Sequence, residues 1–342
     1  MTVAELKAKI KSEDLAGAYI FAGEEDYLKK YYLSEIGKIA CPDEAFALFS
    51  RSVFDGEDVS VLDIAEAIKA PPMMADYKLV EWRYPNLDKM TEAARGRLIE
   101  LASSLSEYPY AILVLFCDED GFDAGTAKRP SKLAKRLSES FGVVNFEKST
   151  DAQLIGWLKR HFDANSIAVS QDTLQALIFR SGHSMQTLKN EVDKLSAYAK
   201  ANSLTAITPK QINLVASPTL ECDAFALSTA ITDKRRDKAF VALMDMKMRR
   251  IESGAVLATL QRAFSELCVI ALLLEEGKGA SDIESVLKWN PYKIKISIAA
   301  AKKWGAARLA EAKERLRVLD AESKSGGISG YKSIEIFICQ FI

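Results

Sequence analysis

The feature that most constrains this 342-residue chain is a change of periodicity near residue 150. Upstream, short apolar runs at residues 18–22, 48–54, 78–83, 111–116 and 143–146 alternate with longer segments at 27–40, 59–69 and 90–106. The apolar residues of the longer segments recur at helical spacing. Such alternation predicts a parallel sheet whose strands are joined by right-handed helical crossovers. Downstream, Ser149-Thr150-Asp151 supplies a helix-start signal and no convincing strand follows. The fold class is therefore α/β followed by all-α.

The helical part divides further. Residues 150–165, 170–181 and 184–201 read as three helices, and Thr208-Pro209 starts a fourth with proline in its first turn. Ser217-Pro218 marks a boundary at about residue 215. Longer helices follow at 224–232, 235–248, 253–276, 280–287, 291–303, 306–323 and 330–341. The expected domains are 1–148, 149–214 and 215–342, and 49% hydrophobic content supplies a core for each. No apolar run is expected to reach the ~20 residues that span a bilayer, and the amino terminus lacks a signal-peptide pattern, so a cytoplasmic location is expected.

Charge is distributed unevenly behind a net value of −1. Lys and Arg number 19 against 26 Asp and Glu in residues 1–150, 7 against 5 in 151–210, and 20 against 16 in 211–342. Regional asymmetry of this kind suits parts that meet different partners, although balanced surfaces also drift by several charges. The basic residues are expected in helix-borne clusters: Lys128 to Lys132 with Lys135-Arg136, Lys234-Arg235-Arg236, Lys247 with Arg249-Arg250, Lys293 with Lys295, and Lys302-Lys303. Their scatter does not define one focused surface for reading DNA, and any phosphate contact they make would lack base specificity.

Most chemical constellations are incomplete. The turn Ala22-Gly23-Glu24-Glu25-Asp26-Tyr27 stands where a phosphate loop would follow the first strand, yet one glycine and three acidic residues replace the glycine-rich loop, Lys and Ser/Thr that a triphosphate needs. Carboxylates there instead complement the dipole of the following helix. Cys117-Asp118-Glu119-Asp120 lies one strand too late to be the metal-holding pair of an ATPase. His161 and His183 are the only histidines, and five scattered cysteines, read as small core hydrophobes, form no CxxC. No catalytic residue, metal or other cofactor is expected. The informative segment is Ala70-Pro71-Pro72-Met73-Met74-Ala75-Asp76, where two prolines restrict the backbone before two flexible apolar side chains. Such a segment either displays Met73 and Met74 as a plug or packs them under the sheet edge.

Several stretches together resemble the delta subunit of the bacterial DNA polymerase III clamp loader. They are Tyr19 to Leu28, Pro72 to Val80, Leu154 to Leu158, Leu188 to Leu195, Phe225 to Ile231, Pro291-Tyr292, Leu319-Asp320 and Lys324-Ser325-Gly326, and they extend over essentially the whole chain. The resemblance implies an AAA+-like parallel-sheet domain without a functional phosphate loop, a helical lid and a helical collar used in oligomerisation. It implies a subunit with no ATPase of its own inside a DNA-directed DNA polymerase complex. Its task would be to bind and open the sliding clamp so that the ring can be loaded on primed DNA. The clamp-binding residues would be Met73 and Met74, with Pro72 before them, where relatives commonly carry Leu and Phe. Lys324 would face DNA. The implied partners are the clamp (beta subunit), gamma/tau and delta-prime type loader subunits, and primed DNA, with no membrane. The alternative is an AAA+-like adaptor or scaffold of another assembly.

Overall fold

A computed structural model describes residues 1–126, 128–328 and 330–342. The chain divides into two compact units, Met1–Ser149 and Thr150–Ile342.

In the first unit, five parallel strands, β1 (Gly17–Ala22), β2 (Arg51–Asp55), β3 (Lys78–Arg83), β4 (Ala111–Phe116) and β5 (Gly142–Asn145), lie in the order β2-β3-β4-β1-β5. Every residue of β4 and all of β1 except Gly17 are buried. Their unbroken apolar sequence is what a strand covered on both faces requires. Helices α1 (Val3–Ser12) and α2 (Asp26–Ala40) cover one face, where Leu6, Leu33 and Ile36 pack against Tyr19, Phe21, Leu79, Ile112 and Val114. Helices α3 (Val61–Lys69), α4 (Glu92–Ser104) and α5 (Lys132–Leu137) cover the other, where Ile64, Ile68, Leu98 and Leu137 meet Ile20, Val80, Trp82 and Leu113. Alternate residues of each strand thus serve opposite cores. This is the AAA+-like arrangement that the resemblance implies.

Three local expectations are corrected. Helix α1 was not anticipated, although Thr2 and Glu5 form a reciprocal capping box at its start. The run 48–54 is a strand only from Arg51, because Leu48 and Phe49 belong to a single helical turn, Ala47–Ser50. Lys128 lies in a turn and Arg129 in a two-residue strand, so this basic group is not borne on a helix until Lys132.

The second unit consists of helices α6 (Asp151–Ala164), α7 (Gln171–Ser181), α8 (Met185–Ala201), α9 (Pro209–Val215), α10 (Leu220–Thr232), α11 (Arg236–Met248), α12 (Ser253–Glu275), α13 (Ala280–Leu287), α14 (Pro291–Lys324) and α15 (Tyr331–Phe341). A strand-free reading misses one small parallel pairing, of Ala168–Val169 with Ala206–Ile207. Helix α14 is broken at Gly305 (φ 70°, ψ 168°), a backbone state open essentially to glycine alone, at the boundary between the two helices expected there. Helix α12 has the length and mean hydropathy (1.6) of a membrane span, contrary to the expectation of no such run. Its Val256, Leu260, Phe264, Leu267 and Ala271 recur at helical spacing and lie buried in the core formed with α10, α14 and α15. A buried core helix passes the same length and hydropathy test.

Candidate functional site

The segment after α3 is shaped by its prolines. Ala70 is extended (φ −72°, ψ 114°), as a residue before proline must be, and Pro71 can neither donate a backbone hydrogen bond nor continue the helix. Both edges of the loop are tied down. Tyr110 Oη donates to Lys69 O (3.1 Å) before it, and Lys78 N donates to Tyr110 O (2.8 Å) after it. Between them, the buried Ser50 Oγ donates to Met73 O (3.2 Å).

The loop is thus anchored at both ends and at Met73 O, and its apolar side chains face outward. Met73 is 51% and Met74 77% exposed, which rules out packing under the sheet edge; Pro72 is half-buried. Met74 holds φ at 55°, a left-handed state uncommon for a side-chain-bearing residue.

Two further apolar residues join this display. Leu48 is 88% and Phe49 48% exposed, on the turn that ends at Ser50. Lys78 Nζ donates to Phe49 O (2.6 Å), so the turn is tied both to β3 and, through Ser50, to Met73. Burial holds the Lys78 ammonium below its ordinary pKa, the expected consequence of using a lysine as an internal clasp. Sequence reading missed Leu48 and Phe49 because β-prone residues there merged with β2. The available signal was Asp43, whose carboxylate accepts from Ala45 N–H (2.9 Å) and starts the local helical turn.

A second place to test is the switch point of the sheet. The chain leaves β1 toward the α2 face and β4 toward the α5 face, and open parallel sheets bind ligands in the crevice between such carboxyl ends. Here Lys29 fills it: fully buried, it donates to Cys117 O (2.9 Å) and pairs with Asp26 (2.8 Å). Gly23 (φ 95°) is pressed so closely on β5 and the residue after it that a Cβ would lie 2.5 Å from Asn145 Oδ1 and Phe146 O. Glu25 is buried beside it, and burial raises its carboxyl pKa above the ordinary value. An AAA+-like sheet implies a nucleotide at this point, and these residues do not fit one: the lysine is spent, and carboxylates stand where phosphates would lie.

The remaining candidates are weaker. Lys324, in the last turn of α14, is exposed and paired with Asp320 (2.7 Å). Arg249, Lys293 and Lys303 are likewise engaged, with Asp223 and Asp245, with Glu266 and with Asp233. His183 contacts Asp151 (2.9 Å), and His161 packs on Trp157 with ring centroids 4.4 Å apart. Cys117 and Cys222 are buried, Cys41 and Cys268 are half-buried, and Cys339 is exposed, so only some cysteines act as core hydrophobes. Among the described residues no group of His, Cys, Asp and Glu is arranged to hold a metal ion.

Comparisons with known proteins agree with this architecture. Residues 19–147 match the family model for the DNA polymerase III delta subunit, and residues 221–341 match the model for the C-terminal domain of that subunit. Bacillus subtilis (strain 168) DNA polymerase III subunit delta is 21% identical over 337 residues, covering 97% of this chain and 95% of that protein. The solved structure of the Bacillus subtilis DNA clamp loader delta protein superposes with a TM-score of 0.59 at 21% identity, covering 99% of each chain. With matches to the same family in both of its units, this chain belongs to the delta subunits of the DNA polymerase III clamp loader.

Proposed function

We propose that this chain is the clamp-loader subunit that binds and opens the sliding clamp, without hydrolysing ATP itself, so that the ring can be placed on primed DNA. The observation that carries the proposal is the exposure of Met73 and Met74 on a loop whose backbone is hydrogen-bonded in place. An apolar pair held ready in this way loses little conformational freedom when it enters a pocket. Leu48 and Phe49 lie on the adjoining turn and widen the apolar surface. Opening follows if the pocket is better formed in the open ring than in the closed one, because a ligand shifts an equilibrium only through differential affinity.

The rest of the proposal follows the family. Residues 149–214 serve as the lid and 215–342 as the collar, which packs against gamma/tau and delta-prime type subunits. Lys324 contributes at most a modest contact to DNA, since it would first have to leave Asp320. Co-purification from a mixture of this chain, the clamp of the same organism and the other loader subunits tests the assignment. Recovery of the clamp in complex with this chain supports it, and failure to recover the clamp returns the chain to an adaptor of another assembly.

A further inference from the structure

A concavity unrelated to the Met73 loop lies within the second unit, where α7, α9, α10, α11 and the first turns of α14 meet. Its volume of about 370 Å³ falls within the range of small-molecule sites. Three aromatic rings form an apolar wall: the Phe179 ring lies 5.3 Å from Phe225 and 5.9 Å from Tyr292, centroid to centroid.

The charges around this wall are unbalanced. Arg180, Arg235 and Lys238 line the cleft with a single carboxylate, Asp233, which is shared between Lys303 (2.5 Å) and Arg235 (3.9 Å). Arg180 is the informative one. Its Nε donates to Ala216 O (2.6 Å) and its Nη2 to Asn213 O (3.1 Å), so two neutral carbonyls fix the guanidinium in position. Neither Arg180 nor Lys238 forms a salt bridge among the described residues. Arg180 has one acidic neighbour, Asp223, which is already paired with Arg249, so a half-buried cation held by neutral carbonyls still favours an incoming anion, and the adjacent rings favour an apolar body.

We propose that this cleft binds a small aromatic or branched-aliphatic carboxylic acid, with its apolar part against Phe179, Phe225 and Tyr292 and its carboxylate toward the cations. The inference does not depend on the clamp assignment, since no residue of the Met73 loop takes part.

The test is calorimetric titration of the full chain with 1-naphthylacetate and with its neutral isostere 1-naphthylacetamide. One acid per chain should bind, with the amide at least about tenfold weaker, as expected when a charge-assisted hydrogen bond is lost. Ala226→Trp, an exposed position on the rim, should abolish binding by filling the cleft, and Lys238→Glu should weaken the acid while leaving the amide unchanged. Equal affinity for acid and amide, or acid binding that survives Ala226→Trp in a folded protein, would overturn the proposal. Binding by an acetylated tripeptide ending in phenylalanine, with neither naphthyl compound binding, would also overturn it in favour of a protein terminus as occupant.

Discussion

Replacing Met73 and Met74 by alanine separates display from folding. Met73 and Met74 are 51% and 77% exposed, and contact with a clamp can bury only that remaining share. At ~1.5–3 kcal/mol for a fully buried side chain, the two shares together amount to about 2–4 kcal/mol. With a tenfold change in Kd for each 1.4 kcal/mol, the double variant should bind its clamp about 30- to 700-fold more weakly. Because Met73 already buries about half and Met74 about a quarter of its surface in the free chain, the same arithmetic puts the loss of unfolding stability at about 1–2 kcal/mol, smaller than the loss in clamp binding. Met74→Gly sharpens the contrast. At φ 55° the methionine is strained, so glycine should raise stability by about 0.5–1 kcal/mol, net of its greater freedom when unfolded, while clamp affinity still falls. Fluorescence anisotropy with labelled clamp, run beside urea unfolding, measures both quantities. Clamp affinity within about threefold of the parent, in a variant that remains folded under the assay conditions, would refute the reasoning.

Other consequences lie in the first unit. Gly23→Ala places a Cβ 2.5 Å from Asn145 Oδ1 and Phe146 O at a φ of 95°, and should cost at least ~2 kcal/mol in urea unfolding. Glu81 is fully buried and bonded to Arg51 (2.6 Å) and Arg83 (2.7 Å), which are each about one-third exposed. Glu81→Gln leaves two cations that water can reach and should cost about 1–2 kcal/mol, whereas Arg51→Met with Arg83→Met strands a buried carboxylate and should cost about 3–5 kcal/mol; equal losses would contradict the asymmetry. Glu25 has its carboxyl pKa raised by burial, so the folded chain holds that proton more tightly than the unfolded chain. Its ionisation therefore opposes folding at neutral pH, and the penalty is relieved as pH falls. Glu25→Gln should raise the urea midpoint at pH 7, and the gain should vanish below about pH 4; a gain independent of pH would be inconsistent with this.

What could be read from the sequence follows from which forces act locally. The buried strands β1 and β4 were visible because a strand covered on both faces must be apolar throughout, and β3 was visible through Leu79, Val80 and Trp82 despite its charged residues. The start of α6 was visible because Thr150 and Gln153 cap each other within one turn. Likewise, Pro71-Pro72 before Met73-Met74 marked a loop that restricts its own backbone. Contacts set by distant residues were not visible. Leu48 and Phe49 look like the beginning of β2, and only their ties to Met73 and Lys78, more than twenty residues away, show that they belong to the displayed surface. Lys29 looks like an ordinary surface lysine of an amphipathic helix; its bond to Cys117 O, 88 residues on, makes it an internal plug. The missing phosphate-loop residues were legible, but the way the fold fills the vacated crevice was not.

The central claim is that Met73 and Met74 couple clamp binding to ring opening. Its most direct test is a stopped-flow fluorescence measurement on the clamp of the same organism, carrying a self-quenching dye pair across one protomer interface. On mixing with this chain alone, without ATP, the dyes should separate and fluorescence should rise with a saturable dependence on concentration; the Met73→Ala/Met74→Ala variant should leave the signal quenched at the same concentrations. Ring opening of equal amplitude and concentration dependence by the parent and the variant would contradict the account, as would a parent chain that leaves the ring closed at saturation.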